Sequence, residues 1–262
     1  MRIWIINQYA IPPTRAGGTW HYLMARELGQ RGHEVTIIAG SLDHGSGEQY
    51  GISKKQAWKK EIVEDVEFLW LRTPAHKGNS PGRAWNMLVF AMRVYRGTGL
   101  NQLHKPDIII GTIPTPFAAF AACRLARSLG VPFLLDIRDL WPGQMADVGR
   151  QTSRMVGRIT AFPPVMKVLR ALEAYLYRRA FWVLTVIPRA AEYIATRGTE
   201  REKVTWVPQV VDFCAVPAVS TPKASVPFTL IYAGTFSAAY NLDSVVTAAA
   251  ILQKSSAQVH FG

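Results

Sequence analysis

Residues 107–136 read DIIIGTIPTPFAAFAACRLARSLGVPFLLD, and this stretch decides the fold. Two apolar runs, 107–111 and 132–136, have strand length, and the segment 116–129 between them reads as a helix. Strand, helix and strand in about thirty residues make a βαβ unit, which requires parallel strands joined by a helix crossing over the sheet.

The pattern extends in both directions. Upstream, 2–7 reads as a buried strand and 34–39 as another. Between them, 19–31 reads as a helix, with Trp20, Leu23, Met24 and Leu28 on one face and Gly32 closing it. Residues 40–66 are polar and read as loop, 68–72 as a strand and 83–103 as one long helix. Downstream, Pro163 and Pro164 break a helical stretch; then come a strand over 181–187, a short helix over 189–197 ended by Gly198, and a strand over 204–207. Three prolines within 217–227 mark a linker. The alternation then restarts, with a strand over 228–232, a loop over 234–240, a helix over 241–253 and a strand over 258–261. The expectation is an α/β protein with a large first domain over 1–216, the linker, and a second domain begun over 228–262. A single βαβ unit cannot bury both faces of its sheet, so the second domain is expected to be incomplete.

Hydrophobic residues are 49% of the chain and charged residues 18%, the balance of a globular protein. The two cysteines, Cys123 and Cys214, give neither a disulfide framework nor a zinc pattern and read as small buried hydrophobes in a reducing compartment. No signal peptide is legible at the start. The longest uncharged run, 108–123, is interrupted by Gly111, Pro114 and Pro116 and is short of the ~20 residues a membrane span needs. A cytoplasmic protein is expected. The net charge of +12 calls for an anionic partner or a solvated basic surface: nucleic acid, membrane leaflet or phosphorylated substrate.

Ligands of an open parallel sheet bind beyond the carboxyl ends of its strands. Three loops fall there. In the first, 12–19, Gly17 and Gly18 precede a helix, where free N–H groups attract phosphate or carboxylate. The spacing is not that of a dinucleotide fingerprint, and two glycines also serve a plain turn. The second, Asp136-Ile137-Arg138-Asp139-Leu140-Trp141-Pro142, puts two carboxylates, a guanidinium and an indole after an apolar strand, where they are costly unless used or paired. An Arg138–Asp139 ion pair bracing the loop is the alternative. The third, Gly234-Thr235-Phe236-Ser237, is small enough for a diphosphate to approach its backbone and equally suits a turn.

Two amphipathic basic stretches stand apart from these loops. Between 150 and 203 eleven Lys and Arg face four Glu, beside an apolar stripe of Val165, Val168, Leu169, Leu172 and Leu176. The helix from Arg83 carries Trp85, Met87, Leu88, Phe90, Met92 and Tyr95. Either can lie on an anionic membrane or face the core with a solvated basic side. No nucleic-acid motif accompanies the charge, so nucleic acid is set aside.

Taken together, certain stretches resemble the family 4 glycosyltransferases of the GT-B fold, and within them the fucosamine-transferase-like branch that builds bacterial surface polysaccharide. They are the loop 9–21 ending Gly17-Gly18-Thr19-Trp20-His21, Arg31-Gly32-His33-Glu34-Val35-Thr36, Thr73-Pro74 with Lys77-Gly78-Asn79, Lys105-Pro106-Asp107-Ile108-Ile109, the 136–142 run, and Tyr232-Ala233-Gly234-Thr235-Phe236 with Asn241-Leu242. The resemblance implies two Rossmann-like domains facing across a cleft, the first offering the acceptor site and the second holding a nucleoside diphosphate sugar, with no metal and no separate cofactor. By position, Gly17, Gly18, Gly234 and Thr235 would meet the donor diphosphate. Arg138 and Asp139 would take catalytic positions facing the sugar, and Thr19, His21 and Trp141 would lie on the acceptor side. The family's later basic residue and Glu-x7-Glu segment have no counterpart here, and Gln209-Val210-Val211-Asp212 replaces its usual Asn-Gly-Val-Asp. The implied reaction is retaining transfer to a lipid-linked or saccharide acceptor at the inner face of the cytoplasmic membrane. The 262 residues alone are expected to be inactive. The alternative is an inactive remnant that folds and binds membrane or acceptor only.

Overall fold

A computed structural model describes residues 1–15, 19–43, 47–76, 80–113, 115–143, 163–209, 228–234, 241–254 and 259–261. The chain forms two compact units, one of Met1–Pro142 with Lys167–Val211 and one of Gly143–Met166 with Asp212–Gly262.

The first unit is built on an eight-stranded sheet. Its strands are β1 (Arg2–Ile6), β2 (Glu34–Gly40), β3 (Trp58–Val63), β4 (Val66–Leu71), β5 (Ile108–Ile113), β6 (Phe133–Ile137), β7 (Trp182–Thr185) and β8 (Val204–Trp206). They lie in the order β3-β4-β2-β1-β5-β6-β7-β8. All neighbours run parallel except the β3–β4 hairpin. From β1 the chain winds outward one way and from β5 the other, so strand order reverses between β1 and β5.

Successive side chains of a strand face opposite ways, and this alternation splits the core in two. Ile3, Ile5, Val35, Ile37, Phe68 and Trp70 belong to one cluster, and Trp4, Ile6, Ile38, Leu69 and Leu71 to the other. Helix α1 (Trp20–Gln30) covers the first with Tyr22 and Ala25. Over the second lie α2 (Pro81–Tyr95), α3 (Pro116–Leu129) and α4 (Pro163–Arg179). A short α5 (Ala190–Ala195) adds Ala190 and Ile194 to that second cluster. Helix α3 lies close to β5 because Gly111 has no side chain there: a Cβ would sit 2.8 Å from that of Ala122. In the second unit, β9 (Phe228–Leu230) and β10 (Val259–Phe261) pair in parallel, with α6 (Leu242–Lys254) between them in sequence.

Two expectations are corrected. The stretch 40–66 is not all loop: Trp58–Val63 is an edge strand whose charged Lys59, Lys60 and Glu61 hide its alternation. Such charges are how an exposed strand edge avoids pairing with other chains. The helix read over 83–103 stops at Tyr95. Gly97 and Gly99 follow with φ of 69° and 74°, and a Cβ at Gly99 would lie 2.7 Å from the Trp58 ring. A 3-10 turn at Leu100–Gln102 then leads toward β5.

Helix α4 is tied to α5 by one buried carboxylate. Glu173 accepts hydrogen bonds from the Tyr177 hydroxyl at 3.0 Å, the Tyr193 hydroxyl at 3.1 Å and Arg197 Nε at 3.2 Å. Burial raises its pKa above the ordinary 4.5, and those partners pull the other way. A raised folded-state pKa means that the native chain holds this proton more tightly than the unfolded chain. Its contribution is therefore full below about pH 4.5 and is lost as pH rises through the raised value. The unfolding free energy of the wild type minus that of Glu173→Gln should fall with pH in this window. A difference that stays flat or rises in urea titrations run from pH 4 to 7 refutes it.

Candidate functional site

The reversal of strand order puts the carboxyl ends of β1, β5 and β6 side by side, the place where open α/β sheets receive ligands. The site is assembled there. After β1 the chain passes through Asn7 and a loop to α1, whose first turn carries Trp20 and His21 beneath the surface. His21 is 5% exposed and Asp136, next to last in β6, is 2% exposed. The His21 Nε2–Asp136 Oδ2 distance is 2.9 Å.

The ring's tautomer follows from its neighbours. The Tyr9 N–H donates to Asn7 Oδ1 at 2.9 Å, which turns the Asn7 amide nitrogen toward the ring, 2.8 Å from His21 Nδ1. That nitrogen can only donate, so Nδ1 accepts and Nε2 carries the hydrogen it gives to Asp136. Thr112 Oγ1 of β5 lies 3.3 Å from the same Nε2. One histidine thus fastens α1 to three strand ends.

Arg138 follows β6, its backbone N–H bonded to Ile113 O at 3.2 Å. Its guanidinium stacks on the Trp20 ring, 4.8 Å from the centroid, a cation–π contact. Burial lowers its pKa, while Asp136 and Asp139 oppose the shift and hold the charge. Asp139 is half-buried, and its carbonyl accepts the Trp141 N–H at 2.9 Å. Trp141 is buried and joined to Pro142 by a cis bond.

A second polar group lies at the ends of β1, β2 and β4. Gln8 hydrogen-bonds Asn86 of α2, whose Nδ2 donates to Pro74 O at 2.6 Å. Ser41 bonds Gln49, whose Nε2 donates to Thr73 O at 2.9 Å. Gly40 makes room for this group, since a Cβ there would sit 2.9 Å from Gln8 O.

Of the residues expected at the site, Thr19, His21, Arg138, Asp139 and Trp141 therefore meet at one sheet edge. His21 does so as a buried brace, both ring nitrogens engaged. Gly17, Gly18 and Thr235 lie outside the described residues. Gly234 lies in the second unit after β9, and a Cβ there would be 2.8 Å from the Tyr232 hydroxyl. Sequence reasoning missed Asn7, Gln8, Thr73, Asn86 and Thr112. Asn7 and Gln8 carried a signal, being polar directly after an apolar strand. A cavity of about 440 Å³ lined by Arg26, Gln30, His33, Ile62 and Glu67 sits at the opposite, amino-terminal edge. It holds none of the expected site residues, and strand direction rather than cavity size locates the site. Among the described residues no cluster of three His, Cys, Asp or Glu is placed to hold a metal ion.

Residues 17–209 match the family described as Glycosyl transferase 4-like domain. The chain belongs to that family. The relative named for colanic acid biosynthesis as glycosyl transferase WcaI, from Escherichia coli (strain K12), is 27% identical over 155 residues. The match covers 57% of this glycosyl transferase 4-like chain and 37% of WcaI. A crystal structure of Arabidopsis thaliana UGT89C1, complexed with UDP, aligns over 98% of this chain and 63% of that one, with TM-score 0.52 and 15% identity. A sucrose-phosphate synthase structure from Thermosynechococcus elongatus aligns over 82% of this chain and 93% of that one, with TM-score 0.48 and 10% identity. The fold is α/β of the GT-B type. This chain spans little more than a third of WcaI and under two thirds of the plant enzyme.

Replacing His21 by Ala should cost about 3 kcal/mol, because the Asp136 carboxylate then stays buried without its donor. Asp136→Asn should cost less, since an amide oxygen still accepts from Nε2. In a double-mutant cycle by urea denaturation the two losses should fall short of additive by about 1 kcal/mol or more. Simple additivity removes the pair from its anchoring role.

Proposed function

We propose that this chain supplies the acceptor-side domain of a retaining glycosyltransferase. The enzyme moves a sugar from a nucleoside diphosphate sugar to a lipid-linked or saccharide acceptor in surface-polysaccharide assembly, within the fucosamine-transferase-like branch. One observation carries the reading: the start of α1, Arg138 and Asp139 converge where strand order reverses, in a chain whose residues 17–209 match the family. In the reaction the anomeric carbon exchanges its bond to the leaving diphosphate for one to the acceptor oxygen, which gives up its proton. Charge builds on the diphosphate as its bond lengthens. Backbone N–H groups at the start of α1 would meet that charge, and Gly17 and Gly18 are proposed to add theirs. Asp139 would face the reacting sugar and acceptor hydroxyl, with Thr19 and Trp141 bordering the acceptor; Gly234 and Thr235 are proposed as donor-diphosphate contacts. The names of WcaI and UGT89C1 are consistent with such donors and products. The test is transfer of label from a panel of nucleoside diphosphate sugars to lipid and saccharide acceptors by the polypeptide containing this chain. Asp139→Asn should lower turnover about 10²-fold while moving Tm by no more than about 3 °C. Full turnover in the variant removes Asp139 from the chemistry, and absence of transfer from every donor refutes the reading.

The acceptor side is proposed to meet an anionic membrane. No helix among the described residues is long and apolar enough to cross one. Helix α2 instead exposes Trp85, Leu88, Met92 and Tyr95, spaced so as to share a face, with Arg93 in its last turn and Arg96 after it. Val168 of α4 is exposed as well, beside Lys167 and Arg170. Basic residues near an anionic leaflet contribute about 1 kcal/mol each, and aromatic rings favour the headgroup layer. Anionic liposomes should sediment several-fold more protein at low salt than neutral ones, and Trp85→Ser with Tyr95→Ser should lower recovery on the anionic ones. Equal recovery with both lipids rules out the electrostatic attraction.

A further inference from the structure

Two hydrogen-bond donors at the site have no protein acceptor among the described residues: Arg138 Nη1 and Trp20 Nε1, both buried. They belong to the same stacked pair. Trp20 is 7% exposed and opens α1. Thr19 makes no side-chain capping bond to that helix, and its first turn holds no acidic residue. A guanidinium N–H, an indole N–H and the first N–H groups of an eleven-residue helix all donate and none accepts. Leaving such donors unmet is costly, and the fork of an arginine fits the oxygens of a phosphoryl group. The nearby carboxylates do not occupy the same role. Asp136 receives its hydrogen bond from His21, and Asp139 acts on Arg138 by charge.

We infer that Arg138 and Trp20 form an anion subsite that binds a phosphoryl group through Arg138 Nη1 and Trp20 Nε1 at the start of α1. Arg138 is then a binding residue for phosphate, with the indole serving both as its stacking platform and as a second donor. The ligand chemistry is shared by two sources, the diphosphate of the donor sugar and the phosphate of a phosphorylated acceptor. The inference rests on the transferase reading but is tested apart from it.

The probe is inorganic pyrophosphate added to the 262-residue chain at about 0.15 M salt. Binding is followed by calorimetry and by the indole N–H resonances of ¹⁵N-labelled protein. There are eight tryptophans, and the resonance missing in Trp20→Phe is that of Trp20. It should shift on addition of pyrophosphate. Arg138→Gln should weaken binding about tenfold or more, and Trp20→Phe about fivefold. Arg138→Lys, which keeps the charge without the fork, should fall between wild type and Arg138→Gln. Arg31→Gln, at an exposed arginine paired with Glu27, controls for general surface charge and should change affinity by less than about twofold. Displacement of pyrophosphate by UDP assigns the subsite to the donor, and displacement by geranyl phosphate to a phosphorylated acceptor. An unmoved Trp20 indole resonance, or equal affinity in Arg138→Gln and wild type, overturns the inference. Pyrophosphate carries neither sugar nor base. A chain that binds it through Arg138 yet transfers no sugar refutes the proposed function alone, and a transferase indifferent to Arg138→Gln refutes the subsite alone.

Discussion

The site depends on one buried contact, the 2.9 Å hydrogen bond from His21 to Asp136. A carboxylate in that position, two residues before the loop that carries Arg138 and Asp139, is expensive to hide from water unless a donor meets it. The donor comes from the first turn of α1, which ties the helix to β6. Asn7 and Thr112 complete the arrangement from β1 and β5. The strand order brings these three ends together, and the histidine sets how α1 meets them. Trp20, the residue before it, then lies under the Arg138 guanidinium. Geometry at the surface is thus inherited from a contact buried beneath it.

Much of the fold was legible because its signals are local. The strands of 107–111 and 132–136 are too apolar to be anything but buried, and the glycines after α1 and α3 end those helices where a left-handed residue suits the turn. The misreadings came from places where tertiary context outweighs composition. Lys59, Lys60 and Glu61 disguise a strand because their position at the sheet edge rewards charge. Helix α2 ends at Tyr95 because Gly97 and Gly99 turn the chain against Trp58, which lies 41 residues before Gly99 in sequence. The site was legible in part. The 136–142 run announced itself by placing charge after an apolar strand. The polar partners Thr112 and Asn86 did not, being single residues whose meaning depends on neighbours far along the chain.

Charge is divided unevenly between inside and outside. Among the described residues no Lys or Arg is fully buried, so the basic excess there is open to water and salt, which screen it. Among the described residues the buried carboxyl groups are two and each has its partners: Asp136 has His21, and Glu173 has two tyrosines and Arg197. Arg138 is the exception, partly buried with one nitrogen lacking a protein acceptor among the described residues, and it stands where the strands end. The surface charge can steer an anionic ligand from a distance, but a buried guanidinium decides where it stops.

The two faces of the sheet are covered unequally. Among the described residues α1 is the one helix contributing to the core of its face, whereas α2, α3, α4 and α5 contribute to the other. A helix alone on a face can detach as a unit while the opposite layer stays intact. That helix also carries Trp20 and His21, so an opening of this face would dismantle the site. Anything that fastens the front of α1, whether a ligand or a neighbouring domain, therefore stiffens an entire side of the protein.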